Sequence, residues 1–291
     1  MLGFCVLAPL GDSIAKILGG TVPIVQLLAA RFVIQVCVLS PIVMFTGRTL
    51  RMGRREYILT FWRTIFHIAG VAAMFLSLRY LPLADAIAIA FVMPFILLVL
   101  GRTILNEHVG GHRLAACIVG FTGTLLVIQP NFANVGWPAL LPLIVAVVFA
   151  FFIMVTRQLA KRCDPIAMQA SSGVMATIIL LPVWFIGNRF GVLGFDYASL
   201  DINSGVLLLA LGLLGTFAHL LMTWSLRYAA ASSLAPMQYL EIPVATVFGW
   251  LIFRDFPNGL AAVGIIITIG AGLYVIHRER VIARPVPALP L

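Results

Sequence analysis

A duplicated pattern constrains this chain more than any other feature of its sequence. Residues 79–128 and 227–276 follow the same order: Arg-Tyr, an apolar segment interrupted by a proline, an acidic residue, and a Gly-rich apolar segment that ends in Val-Ile. The interrupting prolines are Pro94 and Pro243. The two copies lie 148 residues apart, so the chain consists of two related units.

The chain is also apolar enough to lie in a bilayer. Of its 291 residues, 62% are hydrophobic and 10% are charged, whereas roughly 25% of the residues of a soluble domain are charged. A membrane-spanning helix needs about 20 mostly apolar residues. Ten segments meet or approach that length: 3–18, 23–46, 58–78, 84–104, 112–129, 138–157, 166–187, 204–224, 230–252 and 258–276. The sequence therefore predicts an all-α integral membrane protein with ten transmembrane helices.

The placement of the basic residues predicts the orientation of these helices. If both termini lie on one side of the membrane, 13 Lys and Arg residues fall on that side and four on the other. The positive-inside rule then makes both termini cytoplasmic. The basic residues, which give the chain its net charge of +9, set the topology and contact anionic lipid headgroups. Because no aromatic residues are interleaved with these cations, a nucleic-acid surface is not indicated.

The repeat is predicted to be inverted. Five spans separate equivalent points of the two copies, an odd number, so equivalent helices cross the membrane in opposite directions. The predicted organisation is a first five-helix repeat over 1–130, an external linker over 131–137, a second repeat over 138–277 and a cytoplasmic tail over 278–291. Inverted repeats that enclose a central site are typical of secondary transporters.

Ionisable side chains inside the spans are the main candidates for a functional site, since each costs about 2.5–3.5 kcal/mol. Arg31 lies in helix 2 and Glu241 near the middle of helix 9. Two interpretations remain open: a structural ion pair between the repeats, or a pathway in which Glu241 binds a cationic group or carries a proton. Asp12 and Lys16 share one face of helix 1, and the alternatives there are a structural pair or a substrate-facing Asp12.

The residues around Glu241 extend this candidate site. Gln238 lies three residues before Glu241 and shares its helix face, and Tyr239 adds an amphipathic ring. Pro243, like Pro94 in the first repeat, removes a helix hydrogen bond and is a predicted hinge. Helix 4 has no acid at its centre, so a carboxylate at the site is expected from the second repeat alone.

Weaker candidates for lining the pathway follow the same reasoning: Gln35 on helix 2, Trp62 and His67 at the start of helix 3, and Trp224 on helix 8. A single histidine in a membrane helix also serves as a packing residue, and tryptophans also anchor helices at the interface. Arg63 and His219 lie beside these candidates on helices 3 and 8. The glycines of helices 5 and 10 predict close helix packing or a homodimer surface away from the pathway.

The sequence does not favour an enzyme or a cofactor protein. It contains no HExxH zinc motif and no paired aspartates of the kind that bind a prenyl diphosphate. The four cysteines are scattered, which is not typical of a metal site. A non-transporting scaffold or lipid scramblase is the remaining alternative, and it would not require polar residues that converge at the centre of the bundle.

The first copy resembles a known repeat. Arg79–Ala86, a span ending Leu105-Asn106-Glu107 and a span ending Leu126–Pro130 resemble the EamA repeat of the drug/metabolite transporter superfamily, in particular bacterial ten-helix members. The resemblance covers essentially the whole chain. It implies two inverted five-helix repeats in a bacterial inner membrane, with a pathway between the first four helices of each. It also implies alternating-access transport of a small polar metabolite, either amino-acid-like, S-adenosylmethionine-like or riboflavin-like, with proton coupling or exchange.

Overall fold

The computed structural model describes residues 1–48, 52–104, 110–229 and 231–282. These residues form α-helices and no strand. The helices are α1 (Leu2–Leu18), α2 (Ile24–Phe45), α3 (Arg54–Ser77), α4 (Leu83–Ala90), α5 (Met93–Thr103), α6 (Gly111–Val135), α7 (Leu141–Ala160), α8 (Pro165–Arg189), α9 (Ile202–Tyr228), α10 (Ala231–Gln238), α11 (Glu241–Phe248) and α12 (Gly259–Ile282). A 3-10 turn (Trp137–Leu140) precedes α7, and a π-helical turn (Gly249–Phe253) follows α11.

Length and hydropathy confirm an all-helical membrane protein. Within the described ranges, seven helical segments are long and apolar enough to cross a bilayer. They are Ile24–Phe45, Arg54–Ser77, Leu83–Thr103, Leu114–Val135, Trp137–Ala160, Pro165–Arg189 and Ile202–Tyr228. Two shorter apolar helical segments, Glu241–Phe253 and Gly259–Tyr274, follow them.

Predicted helices 4 and 9 are each broken in the middle. The turn at residues 91–92 separates α4 from α5, and the turn at 239–240 separates α10 from α11. A proline has no N–H to bond the carbonyl four residues earlier, and its ring clashes with that carbonyl. Ala90, four residues before Pro94, is the last residue of α4. Tyr239, four residues before Pro243, lies in the second turn. The two turns are 148 residues apart, the same offset as the repeat.

Helix contacts pair the two halves of the chain in a reciprocal pattern. α1 packs on α9 and α3 packs on α7, while α2 packs on α8 and α6 on α12. The broken helices also pair, since α4 contacts α11 and α5 contacts α10. Exchanging each helix for its equivalent in the other half reproduces the same set of contacts. This is the pattern that two related five-helix units produce when they pack around a shared centre.

The glycines of predicted helices 5 and 10 face each other inside one molecule. A Cβ added to Gly123 of α6 would lie 2.6 Å from the Gly264 carbonyl oxygen of α12. Thr268 of α12 donates to that same carbonyl at 2.9 Å. The small residues therefore serve packing between α6 and α12. A homodimer through these two helices would use their remaining faces, and it stays a prediction.

Two predicted boundaries fall inside helices of the structure. Helix α6 continues to Val135, so most of the predicted linker 131–137 is helical. Asn131 is buried, and its amide donates to Asp85 Oδ2 at 3.0 Å and to the Val127 carbonyl at 2.8 Å, which explains why this polar residue stays in the helix. Helix α12 extends to Ile282, into the predicted tail. Glu107 and the rest of the tail lie outside the described residues.

Candidate functional site

A cavity lies between the two halves of the bundle. About 100 Å³ of it is open to the centre of a water molecule, enough for several waters. Helices α1 to α5 contribute from the first half, and α7, α9, α10 and α11 contribute from the second. The polar side chains in its wall are Asp12, Arg31, His219, Gln238 and Glu241. The remaining wall is apolar and includes the rings of Phe4, Phe75, Phe91 and Phe149.

Four of the predicted pathway residues therefore meet at one place. Asp12, Arg31, Gln238 and Glu241 come from α1, α2, α10 and α11, and all four line the cavity. Gln238 and Glu241 flank the turn in the second broken helix. The break brings both residues to the centre of the bundle, where discontinuous helices commonly form substrate sites.

The other predicted lining residues lie elsewhere. Tyr239 packs against α12, where a side chain on Gly272 would overlap its ring, so it points away from the cavity. Trp62 and Trp224 are 50% and 37% exposed on the outside of the bundle. The Gln35 side-chain amide donates to the Gln169 backbone carbonyl at 2.7 Å. His67 is fully buried, in contact with Arg31.

The Arg31 guanidinium is held by two histidines. Its Nη1 lies 3.4 Å from His67 Nε2, and its Nη2 lies 3.1 Å from His219 Nδ1. The two imidazole rings are 4.3 Å apart between centroids. Gly215 of α9 leaves the space that the guanidinium occupies, because a side chain there would overlap Arg31 Nε.

His219 Nδ1 cannot satisfy both of its neighbours. It lies 2.9 Å from the Gly215 carbonyl oxygen and 3.1 Å from Arg31 Nη2. The carbonyl only accepts and the guanidinium only donates, so one nitrogen bonds to the carbonyl when it carries a proton and to Arg31 when it does not. His219 therefore has two mutually exclusive hydrogen-bonding arrangements, and only one of them holds Arg31.

No ion pair joins Asp12, Arg31 and Glu241 to one another in the described ranges. The ion pairs found in the described ranges are Lys16–Asp255, Arg48–Asp164 and Arg162–Glu56. The structural alternative of an Arg31–Glu241 pair is therefore absent from this part of the chain. Glu241 is 9% exposed, and its Oε1 has no hydrogen-bond partner in the parts of the chain that the structure describes.

Lys16 does not pair with Asp12. Its Nζ lies 3.0 Å from Asp255 Oδ2 and donates to the Leu81 carbonyl at 3.1 Å. Lys16 is near the end of α1, so it reaches Asp255 of the second half at the edge of the bundle. Asp12, one turn deeper, is left facing the cavity. The sequence spacing suggested a local pair, and the tertiary contact replaces it.

A second buried arginine lies next to this site. Arg63 is fully buried and donates from Nε to Thr156 at 2.9 Å, from Nη1 to Ser172 at 2.6 Å and from Nη2 to the Gln169 side-chain oxygen at 2.6 Å. Its guanidinium also stacks over the Phe152 ring at 4.7 Å. These partners are neutral side chains of α7 and α8. Arg63 Nη2 also donates to the Thr223 hydroxyl of α9 at 3.4 Å, so Arg63 ties α3 of the first half to three helices of the second.

Sequence reasoning placed Arg63 at the start of a helix. Because α3 begins at Arg54, Arg63 is about two and a half turns inside it. The available signal was a set of polar residues on the facing helices, namely Thr156 on α7, Gln169 and Ser172 on α8, and Thr223 on α9. His219 gave no clearer signal, since a single histidine is also a common packing residue.

Comparison with known proteins agrees with this architecture. The chain is similar to the riboflavin transporter of Rhizobium johnstonii, with 29% identity over 219 residues, 75% of this chain and 69% of the relative. It is also similar to the S-adenosylmethionine uptake transporter of Rickettsia prowazekii, with 24% identity over 279 residues, 94% of this chain and 90% of the relative. One solved crystal structure shares the fold, with a TM-score of 0.72, 16% identity and 97% of each chain covered.

The family match covers both halves of the bundle. Residues 1–129 and 136–277 each match the EamA-like transporter family, and the two matches meet near the end of α6, where Gly136 adopts a positive φ of 71°. The cavity lies between these two matched units. The chain therefore belongs to the EamA-like transporter family and is a multi-pass membrane transporter of a small metabolite.

Proposed function

We propose that the protein is a secondary transporter that binds a small polar metabolite in the cavity between its two repeats and moves it by alternating access. One observation carries this proposal: Asp12, Arg31 and Glu241 from both repeats line one cavity, and none of them forms an ion pair with a residue that the structure describes. Ionisable groups in a membrane interior are costly, and those with a structural role pair with one another. Unpaired charges around a cavity are expected where a ligand supplies the partner.

Alternating access requires contacts between the repeats that can break on one side while they hold on the other. On the side where α3 begins and α7 ends, the repeats are joined by the Arg63 network and by the Arg48–Asp164 and Arg162–Glu56 ion pairs. On the opposite side they are joined by Lys16–Asp255 and by two hydrogen bonds of 2.9 Å between the Gln26 amide and the Ala198 backbone. Each set is a candidate gate.

The broken helices are the proposed hinges. Each break leaves backbone groups without their helical partners, and each lies beside the cavity, where Phe91 of the first and Gln238 of the second line the wall. Pro94 and Pro243 fix the position of these breaks. A rocking motion of one repeat against the other would bend the chain at these two points, which also explains why both copies retain a proline.

The finer organisation is part of the same proposal. It comprises ten crossings of a bacterial inner membrane, both termini in the cytoplasm, repeats over 1–130 and 138–277, and a homodimer through α6 and α12. The basic residues at the ends of α2, α3, α5 and α7 support the orientation, since they lie on one side of the bundle. Reporter fusions at the C-terminus and in the 190–200 loop should report opposite sides; the same side for both would contradict the topology.

The test of transport uses the purified full chain in liposomes and radiolabelled S-adenosylmethionine and riboflavin. Uptake of at least one of them is expected, and Glu241→Gln should abolish it or remove its dependence on a proton gradient while the protein remains folded. Asp196→Asn, which changes an exposed acid in a loop, is the control and should transport normally. Unchanged transport by Glu241→Gln at every pH would exclude Glu241 from the mechanism.

A further inference from the structure

We infer that the cavity is built for an amino-acid-type zwitterion that carries an additional cationic centre and a flat ring, and not for a neutral metabolite. The inference rests on the proposed transport function and assigns a substrate class to the same cavity. It follows from the sign, number and placement of the charges that the fold leaves unpaired there.

The anion subsite is the Arg31 guanidinium. Both of its described partners, His67 and His219, are imidazoles that accept its hydrogen bonds only while they are neutral, so its charge is not compensated by them. An arginine has five N–H donors in a fork that matches a carboxylate. Two of these donors are oriented by the histidines, which leaves others for a ligand in the cavity that Arg31 lines.

A glycine beside Arg31 provides space for that ligand. Gly215 lies against Arg31 and lines the cavity, and any larger residue there would displace the guanidinium. Two histidines on α3 and α9 hold the arginine, and Gly215 on α9 leaves room for it. An arginine that served only to pack helices would have no need for an open cavity beside it.

The cation subsite consists of two carboxyl groups. Asp12 of α1 and Glu241 of α11 both line the cavity, and they come from different repeats. Neither forms an ion pair in the described ranges. Gln238, one turn before Glu241, adds an uncharged group that can donate or accept.

The charges of Asp12, Arg31 and Glu241 define the charges that a matching substrate must carry. With Arg31 positive and both acids ionised, the cavity carries one net negative charge. A ligand with one carboxylate and two cationic groups would pair all three residues. A ligand with a carboxylate and a single cation would leave one acid to take up a proton, which would couple transport to protons. A neutral metabolite would supply no charged partner to any of the three residues, in a site of low dielectric where unpaired charge is most costly.

The apolar part of the cavity wall suits a flat ring of the ligand. Phe4, Phe75, Phe91 and Phe149 line the cavity together with aliphatic side chains. Aromatic faces stack on planar rings and attract cations, so a ligand with a flat heterocycle and a cationic centre satisfies both parts of the wall.

The first experiment measures thermal shifts of the purified full chain in detergent with four probes. S-adenosylmethionine carries the carboxylate, the ammonium and a sulfonium; S-adenosylhomocysteine lacks the sulfonium charge; 5′-methylthioadenosine lacks the amino acid; riboflavin is neutral. S-adenosylmethionine should bind more than about tenfold more tightly than S-adenosylhomocysteine, because one charge pair is lost. The last two probes should give no shift.

Substitutions of Arg31 and Asp12 test which residue binds which charged group of the ligand. Arg31→Gln should weaken binding of S-adenosylmethionine at least about tenfold but leave decarboxylated S-adenosylmethionine unaffected, since that probe has no carboxylate. Asp12→Asn should reduce the preference for S-adenosylmethionine over S-adenosylhomocysteine. Arg31→Lys, which keeps the charge but not the fork, should give an intermediate affinity and guards against a folding defect in Arg31→Gln. Asp196→Asn is the matched control and should bind all probes like the parent protein.

Riboflavin binding as tight as that of S-adenosylmethionine, or binding of none of the zwitterions, would overturn the substrate class. In the first case, uptake of riboflavin into liposomes would leave the proposed transport function intact. Failure of every solute to enter liposomes, with zwitterion binding retained, would count against transport and not against the subsites. Equal affinity of parent and Arg31→Gln for S-adenosylmethionine would remove Arg31 from the anion subsite.

Discussion

Two arginines in this bundle are buried, and their guanidinium groups are stabilised in different ways. Arg31 and Arg63 lie on adjacent helices and are 3% and 0% exposed, and neither forms an ion pair in the part of the chain that the structure describes. Arg63 donates from all three of its nitrogens to neutral side chains of the other repeat. Arg31 is held by two histidines and borders a cavity.

The difference shows that the role of a buried guanidinium depends on how many of its nitrogens have protein partners. When every nitrogen of a guanidinium has a well-aligned neutral partner, the group can remain buried, and it orders the helices that supply those partners. When the partners hold only part of the group and a cavity is adjacent, the charge remains able to bind an anion. We therefore propose that Arg63 holds the two repeats together and that Arg31 binds the ligand.

The largest loss of stability is expected for Arg63→Met. The substitution preserves apolar volume but leaves the Gln169 side-chain oxygen and the Ser172 hydroxyl without their donor, in a region from which water is excluded. Each unsatisfied buried group costs about 1–3 kcal/mol, so a loss of about 3 kcal/mol or more is expected. Unfolding by SDS titration in mixed micelles measures it, and Arg102→Met, an exposed arginine at the end of α5, is the control.

A smaller effect is expected when one partner of Arg63 is changed. Gln169→Leu removes the acceptor for Arg63 Nη2 and the side chain that faces Gln35, which should cost about 2 kcal/mol in the same titration. Gln169→Glu keeps an acceptor at this position and should be the milder change. If Gln169→Leu were as stable as the parent, Arg63 would not depend on this partner, and its assignment to the structure would fail.

The sequence predicted the helices and their breaks well, because these depend on local properties. Runs of apolar residues marked the spans, and the fixed offset of 148 residues marked the repeat. A proline acts on the carbonyl four residues before it, so Pro94 and Pro243 predicted interruptions that the structure places at equivalent turns. The structure also brings Arg31, Asp12 and Glu241, which the sequence singled out as ionisable residues inside spans, to one cavity, and their role in transport stays a prediction.

The partners of these residues could not be predicted in the same way. Lys16 has an acid one turn away on its own helix, yet it pairs with Asp255, far away in sequence. Tyr239 and Glu241 are two residues apart, and the turn between α10 and α11 sends one toward α12 and the other into the cavity. Both outcomes depend on how the helices rotate and pack against the other repeat, which a single sequence does not specify.

Gly215→Ala is expected to perturb Arg31 with a modest loss of stability. The added methyl group would overlap the guanidinium, which lies at the end of a flexible side chain and can move. Overpacking of this kind costs about 1 kcal/mol when the neighbour can shift. Uptake in liposomes should fall by more than the stability change accounts for, because Arg31 would leave its histidine partners. Gly205→Ala, at a position on the same helix with open space around it, is the control.

The smallest change in stability is expected for Arg31→Met, and this result separates the two arginines most clearly. Without Arg31, His219 Nδ1 can carry a proton and donate to the Gly215 carbonyl, so that nitrogen is not left unsatisfied, and His67 Nε2 loses only a contact of 3.4 Å. The free energy of unfolding should therefore stay within about 1 kcal/mol of the parent value. Binding and uptake of a carboxylate-bearing substrate should nevertheless be lost. SDS titration and liposome uptake on the same preparation measure both effects. A loss of stability as large as that of Arg63→Met would mean that Arg31, too, is part of the structure that joins the repeats.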